Sequence, residues 1–123
     1  MVKIKNSKIL IADDSLLARK RLKDCLVSLG YENIIEAQDG AEAVEQYHKE
    51  NPDLVFMDIV MPKQFGTDTV KEIIATNPEA IIIMLSSVGT KKYVEDSLKA
   101  GAKDFIPKPF TSSQVSAILG HFN

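Results

Sequence analysis

The chain has 123 residues, a formal net charge of −2 and an isoelectric point near 5.7, so it lacks the basic field that direct nucleic-acid binding requires. Its length is typical of one domain with a sizeable core, and we expect residues 1–123 to form a single domain. Because no apolar run approaches the roughly 20 residues of a membrane span and the N-terminus lacks a signal peptide's apolar region, we expect a cytoplasmic protein without membrane contact.

Apolar runs of strand length alternate with amphipathic stretches of helix length along the chain. This alternation predicts five βα units around a parallel sheet, which is an α/β fold. In chain order, the strands are expected at 8–13, 33–37, 53–58, 80–86 and 103–107. The helices are expected at 15–29, 40–50, 67–76, 90–100 and 112–121. Thr111 followed by Gln114 three residues later is a capping-box pattern, which supports the start of the fifth helix.

The composition of these elements indicates how they are buried. The third and fourth strands are continuously apolar over 54–57 and 81–85, as expected for central strands that helices cover on both faces. The second strand is more polar and is expected at an edge of the sheet. The single cysteine, Cys25, shares a helix face with several leucines, which predicts a buried and unreactive thiol.

Three of the apolar runs end in reactive polar residues. The first ends in Asp13-Asp14, the third in Asp58 and the fifth in Lys108. The carboxyl ends of parallel strands meet at one edge of the sheet, where ligands bind in such folds, so we expect these side chains to lie together. Taken singly, the acidic pair could instead cap a helix and Asp58 could belong to a turn.

Three crowded carboxylates need a compensating cation or a raised pKa. Mg²⁺ fits better than Zn²⁺, because no histidine or cysteine follows these strands and carboxylate oxygens suit a hard ion. Mg²⁺ held by few carboxylates keeps positions for phosphate oxygens, and Lys108 adds a positive charge. No nucleotide-binding glycine motif occurs in the sequence, so we expect phosphate to arrive by transfer to a carboxylate nucleophile, for which Asp58 is the candidate.

Several motifs occur together at suitable intervals, and with them the chain resembles the receiver domains of two-component response regulators, the CheY-like family, over essentially its whole length. The motifs are the acidic pair Asp13-Asp14, Asp58 followed by Met61-Pro62 and Gly66, Ser86 at the end of the fourth strand, and Lys108-Pro109-Phe110 after the fifth. The resemblance implies a doubly wound, flavodoxin-like (βα)5 sandwich of three layers. Its five-stranded parallel sheet would have the strand order 2-1-3-4-5.

The resemblance also implies roles for single residues. Asp58 would accept the phosphoryl group from a histidine kinase or a histidine phosphotransfer protein. The Mg²⁺ ligands would be Asp14 and Asp58 directly, Asp13 through water, and the backbone carbonyl of Val60. Lys108 would pair with the phosphoryl group, and its bond to Pro109 is commonly cis in the family.

A further implication concerns output. Ser86 would be the switch hydroxyl that binds the phosphoryl group, and Phe105 the aromatic side chain that turns inward when this hydroxyl moves. A downstream protein would bind the face of the fourth helix, fifth strand and fifth helix, which carries Lys92, Tyr93, Asp96, Lys99 and Lys103. The protein would be a stand-alone signalling phosphoacceptor rather than an enzyme. It would be a monomer or a phosphorylation-dependent dimer. Chemotaxis is the working hypothesis for its pathway.

The chain departs from the family pattern near the acceptor. Val60 and Val88, two residues past the acceptor and the switch, are apolar where many relatives carry polar groups that orient water. We therefore expect slow loss of phosphate. Gln64-Phe65 replaces the common Met-Asp pair, and Phe105 replaces a tyrosine of chemotaxis regulators, which affects the partner surface rather than the chemistry.

Two other functions fit parts of the pattern. A phosphohydrolase with an aspartyl nucleophile would commonly need a second acid two residues after the nucleophile, where this chain has Val60. A phosphorylation-independent interaction module with the same fold would not need all five polar residues of the site. The receiver interpretation accounts for more of the sequence than either.

Overall fold

The computed structural model describes residues 7–62 and 64–122 of the chain. Strands and helices alternate throughout these ranges, as the periodicity predicts. The strands are β1 (Lys8–Ala12), β2 (Asn33–Ala37), β3 (Leu54–Asp58), β4 (Ile82–Ser86) and β5 (Asp104–Pro107). The helices are α1 (Leu16–Ser28), α2 (Gly40–Glu50), α3 (Gly66–Thr76), α4 (Lys91–Ala100) and α5 (Ser112–Gly120).

The sheet has the order β2-β1-β3-β4-β5, and every neighbouring pair is parallel. This order confirms the doubly wound arrangement and places the polar strand β2 at an edge. All residues of β3 and β4 are buried, as their continuous apolar runs predict. The register pairs Asp58 with Leu85 and Ser86 with Pro107, so the carboxyl ends of β3, β4 and β5 lie side by side.

Side chains alternate between two cores, one on each face of the sheet. Leu10 and Met57 belong to the cluster under α2, α3 and α4, together with buried residues of those helices such as Val70. Ile9 and Phe56 belong to the cluster under α1 and α5. This period of two residues gives the three-layer sandwich, since each central strand contributes to both cores.

Polar side chains cap the N-termini of α1, α2 and α5. Ser15 is the N-cap of α1 and its hydroxyl accepts a hydrogen bond from the backbone N–H of Ala18 at 3.1 Å. The side chain of Thr111 accepts from the backbone N–H of Gln114 at 3.2 Å, and the capping box predicted there is present. Each of the described helices starts within one residue of its predicted position.

Two expectations need correction. The fourth strand begins at Ile82 rather than at residue 80, because the backbone N–H of Ala80 donates to the carbonyl of Asn77 in a turn. Cys25 is only partly buried, because it lines an open groove between α1 and the start of α5, where its Sγ lies 3.4 Å from the hydroxyl of Ser112. None of the helices that the structure describes has the length and the apolar character needed to cross a membrane.

Candidate functional site

The turn between β1 and α1 carries two carboxylates in different environments. Asp13 is buried, whereas Asp14 is exposed. Neither caps α1, because Ser15 does. Instead, Oδ1 of Asp13 accepts a hydrogen bond from the backbone N–H of Ser15 at 3.0 Å, and its backbone N–H donates to the carbonyl of Ala37 at 3.0 Å. The turn thus leaves both carboxylates available at the strand ends.

Asp58, the last residue of β3, has 7% of its surface exposed. Its Oδ1 accepts a hydrogen bond from the backbone N–H of Ile59 at 2.9 Å. Behind it, α3 begins very close to the strand, because a Cβ on Gly66 would lie 2.3 Å from the carbonyl oxygen of Asp58. The absence of a side chain at Gly66 therefore permits the approach of α3 to the strand end.

The three carboxylates converge as the sequence predicts. One oxygen from each of Asp13, Asp14 and Asp58 lies within 4.8 Å of the other two. The ammonium of Lys108 joins them at 2.7 Å from Oδ2 of Asp13 and 3.4 Å from Oδ2 of Asp58. Four side chains at the carboxyl ends of β1, β3 and β5 therefore form one acidic site, to which Lys108 contributes an ammonium.

Burial and the negative charge of Asp13 raise the pKa of Asp58 from 3.8 to about 6, although Lys108 and the N–H of Ile59 act in the opposite direction. Burial alone would lower the pKa of Lys108, but its hydrogen bond to Asp13 and the charges of both carboxylates outweigh this and raise it. The ammonium is therefore charged at neutral pH. The site retains an excess of negative charge.

A hard divalent cation fits this donor set. Carboxylate oxygens from three residues converge. Burial and the negative charge of Asp13 both disfavour the ionised form of Asp58, and a bound cation would stabilise that form. The family resemblance implies Mg²⁺ at this position, and the cluster of three carboxylates fits that ion. The side chains of Asp13, Asp14 and Asp58 are the candidate ligands, and the backbone carbonyl of Val60 remains a predicted one.

Ser86 ends β4 and is buried beside the site. Its hydroxyl lies 3.4 Å from the carbonyl oxygen of Ile106, to which it donates, and the backbone N–H of Lys108 donates to the carbonyl of Ser86 at 2.7 Å. The peptide bond between Lys108 and Pro109 is cis, as the family resemblance implies. A backbone hydrogen bond thus connects Ser86 directly with Lys108.

Phe105 faces outward, with 42% of its surface exposed. It lines a cavity of about 440 Å³ between β5, the β4–α4 loop and α4, together with Ser86, Thr90 and Val94. The predicted switch residues therefore border the same cavity.

The two valines that depart from the family pattern are exposed. Val60, in the loop after Asp58, is 47% exposed, and Val88, in the loop after Ser86, is 100% exposed. Both valines are therefore open to solvent. Lys63, in the same loop as Val60, lies outside the described residues.

The predicted output face lies on the surface. Lys92, Tyr93, Lys99 and Lys103 are exposed, and Asp96 is half-buried, with one Oδ 3.6 Å from the ammonium of Lys92. An ion pair between exposed side chains of this kind contributes little to stability. These residues are thus accessible to a partner.

The sequence interpretation missed two groups next to the site. Arg19 of α1 donates to the backbone carbonyl of Asp13 at 2.7 Å and to Glu36 of β2 at 3.0 Å. Phe65, before α3, packs edge-on against Tyr93 of α4 with ring centroids 5.3 Å apart. An arginine on the first helix and a glutamate on the edge strand have no local signal that would pair them, because the pairing depends on how the helix crosses the sheet.

Comparisons with known proteins agree on one family. A model described as the response regulator receiver domain matches residues 9–119. The chemotaxis protein CheY of Bacillus subtilis is 48% identical over 108 residues, which cover 88% of this chain and 90% of that protein. The chemotaxis protein CheY of Thermotoga maritima is 48% identical over 112 residues, which cover 91% of this chain and 93% of that protein.

Solved structures give the same result. A complex of CheX, CheY, BeF3 and magnesium from Borrelia burgdorferi contains a chain with a TM-score of 0.88 and 37% identity to this one, covering 97% of this chain and 91% of that chain. The receiver domain of NtrX from Brucella abortus has a TM-score of 0.87 and 28% identity, covering 93% of this chain and 96% of that chain.

Proposed function

This chain belongs to the response regulator receiver family, whose members are phosphoacceptors of two-component signalling, and from that premise we propose that its accepting residue is Asp58. The convergence of three carboxylates and one ammonium at the strand ends is the observation that carries the proposal. Asp58 is the natural nucleophile, since it lies at the end of a central strand and Asp13 is already held by Lys108 and the N–H of Ser15.

The reaction that we propose is an in-line transfer from a phosphohistidine. A carboxylate oxygen of Asp58 attacks phosphorus, the P–N bond to the donor imidazole breaks, and the imidazole nitrogen leaves with the bonding electron pair and takes up a proton. The N–H of Ile59 holds Oδ1 of Asp58 and orients the carboxylate. Lys108 offers its charge to the transferred oxygens. Mg²⁺, held by Asp13, Asp14, Asp58 and the carbonyl of Val60, would neutralise charge on the same oxygens.

We propose that phosphorylation changes the output face through Ser86 and Phe105. The hydroxyl of Ser86 donates to the carbonyl oxygen of Ile106 over a long distance, 3.4 Å, so a phosphoryl oxygen is a better partner for it. Its movement would let Phe105 enter the adjoining cavity of about 440 Å³. Driving such an equilibrium from 1:99 to 99:1 requires about 5.5 kcal/mol, which a covalent dianion with new hydrogen bonds can supply.

The partners that we propose are a cytoplasmic histidine kinase or phosphotransfer protein and a downstream protein that binds α4, β5 and α5. A CheY from Borrelia burgdorferi is recorded in complex with CheX. Two relatives at 48% identity are chemotaxis proteins. We therefore propose chemotaxis as the pathway and phosphorylation-dependent protein contact, rather than catalysis on a separate substrate, as the output.

Intact-mass measurement after incubation with a small-molecule phosphodonor tests the proposal. We expect one phosphoryl adduct that requires Mg²⁺ and is lost in Asp58→Asn. Asp68→Asn, at an exposed aspartate of α3, is the matched control and should retain the adduct. Absence of an adduct in the wild-type chain would favour the phosphorylation-independent module, and an adduct that persists in Asp58→Asn would place the acceptor elsewhere.

A further inference from the structure

Arg19 connects the acidic turn to the edge of the sheet. Its Nη1 donates to the backbone carbonyl oxygen of Asp13 at 2.7 Å, and its Nε donates to Oε1 of Glu36 at 3.0 Å. Its side chain is only 12% exposed. The guanidinium is therefore a fixed part of the structure around the turn.

The contact with Asp13 bears on the direction of both carboxylates. The carbonyl that Arg19 contacts belongs to the peptide group that joins Asp13 to Asp14. A peptide group is planar, so fixing this carbonyl also fixes where the chain continues into Asp14. The other side of Asp13 is held by its N–H, which donates to Ala37. Arg19 thus restrains the one peptide group that lies between two candidate metal ligands.

Glu36 in turn restrains Arg19. It lies on β2 in register with Ile11 of β1, one residue before the strand ends. Its second oxygen, Oε2, lies 3.6 Å from the ammonium of Lys23 on the next turn of α1. Because a guanidinium is planar and its donors point in fixed directions, Arg19 can contact Glu36 and the Asp13 carbonyl at once, whereas a lysine could serve one of them well.

We propose that Arg19 is a positioning residue for the metal site, which directs the carboxylates of Asp13 and Asp14 toward Asp58, and that Glu36 keeps it in place. This inference rests on the proposed function, because it assumes that the three carboxylates hold Mg²⁺. Partners that orient the ligands of a metal typically change its affinity by roughly 10- to 100-fold when they are removed.

The charge of Arg19 has the opposite effect on Mg²⁺ from its proposed positioning role. A guanidinium near the carboxylates repels a second cation, so removing its charge alone would strengthen Mg²⁺ binding. Removing a residue that orients the ligands weakens binding. The sign of the change in the Mg²⁺ dissociation constant therefore separates the two roles.

The test is calorimetric titration of the full chain with Mg²⁺ at pH 7.5, with thermal unfolding measured in EDTA. We expect about tenfold weaker binding in Arg19→Gln and roughly threefold weaker binding in Arg19→Lys and Glu36→Gln. Lys23→Gln is the matched control, because it removes a charge of the same sign that contacts Glu36 but not Asp13. It should bind Mg²⁺ as the wild type does, or slightly more tightly.

Equal or tighter Mg²⁺ binding by a folded Arg19→Gln variant would overturn the inference. If Arg19→Gln does not fold, the test rests on Glu36→Gln. An unchanged Mg²⁺ dissociation constant in Glu36→Gln would then overturn the inference. A wild-type chain that binds no Mg²⁺ would instead remove the proposed metal site itself, and the inference with it. The wild-type titration thus distinguishes failure of the proposed function from failure of the role assigned to Arg19.

Discussion

The ammonium of Lys108 lies 2.7 Å from Oδ2 of Asp13, closer than the 3.4 Å that separates it from Oδ2 of Asp58. Lys108 therefore binds Asp13, a candidate metal ligand, more closely than it binds Asp58, the candidate phosphoacceptor. A phosphoryl group on Asp58 would carry more negative charge than the carboxylate and would attract the ammonium toward it. The same lysine can then serve the site before and after transfer, with a different partner in each state.

Lys108→Gln should bind Mg²⁺ more tightly than the wild type, by roughly threefold to tenfold, because a cation that competes for Asp13 is removed. Calorimetric titration at pH 7.5 measures this. Lys103→Gln, at an exposed lysine before β5, is the control and should leave the affinity unchanged. Weaker binding by Lys108→Gln would mean that the ammonium organises the ligands more than it repels the ion.

Asp58 should make the stability of the metal-free protein depend on pH. Burial and the charge of Asp13 give its carboxyl a pKa of about 6 in place of 3.8, so the folded state holds this proton more tightly than the unfolded state. Ionisation therefore costs stability as pH rises from about 4 to about 6. The free energy of unfolding of Asp58→Asn should therefore rise relative to that of the wild type across this window. At pH values above the window the difference should be roughly 2–3 kcal/mol.

Urea unfolding in EDTA at pH 4.5 and pH 7.0 measures this difference. The advantage of Asp58→Asn should be larger at pH 7.0, and Mg²⁺ should reduce it by stabilising the ionised wild type. Asp68→Asn, at an exposed position, controls for the general effect of removing an aspartate. An advantage of Asp58→Asn that is the same at both pH values would contradict a raised pKa.

The close approach of α3 to β3 depends on Gly66. Gly66→Ala should destabilise the protein by roughly 1–3 kcal/mol, because the new Cβ would lie 2.3 Å from the carbonyl oxygen of Asp58 and the backbone would have to move. Gly120→Ala is the matched control, since a Cβ there meets nothing within 4 Å and alanine favours the helix. Urea unfolding compares the two, and equal stabilities would contradict a close approach.

The exposed Val60, two residues after the acceptor, should protect the acyl phosphate. Val60→Asn should shorten its half-life, by roughly tenfold, because an amide beside the acceptor can hold a water in position for attack. Phosphate release after removal of the phosphodonor measures the rate. Val27→Asn, at another exposed valine on α1, should leave it unchanged. A wild-type half-life of seconds that Val60→Asn does not alter would refute the protective role.

The proposed movement of Phe105 can be followed by fluorescence, because the chain has no tryptophan of its own. In Phe105→Trp, emission should shift to shorter wavelength when phosphodonor and Mg²⁺ are added, since the indole leaves solvent for the adjoining cavity. The shift should disappear when Ser86→Ala is combined with it. A shift that persists without the Ser86 hydroxyl would show that the movement of residue 105 does not depend on Ser86.

Much of the architecture could be predicted because it depends on local patterns. Apolar runs of strand length that alternate with amphipathic stretches of helix length predicted the ten elements of the described residues, with boundaries within two residues of those in the structure. The same patterns distinguished the polar edge strand β2 from the apolar β3. The site followed from one rule of topology, since Asp58 ends its strand, Asp13 and Lys108 directly follow theirs, and parallel strands bring their carboxyl ends together. The strand order came from the family resemblance.

The contacts between elements, in contrast, follow from the tertiary structure. The sequence alone determined that two aspartates follow β1, but the turn geometry buries Asp13 and exposes Asp14. The choice of Asp13 as the nearer partner of Lys108, and the bridge from Arg19 to Glu36, depend on distances across the sheet. Periodicity and strand ends are properties of neighbouring residues, whereas such contacts depend on how helices settle on the sheet after both cores pack.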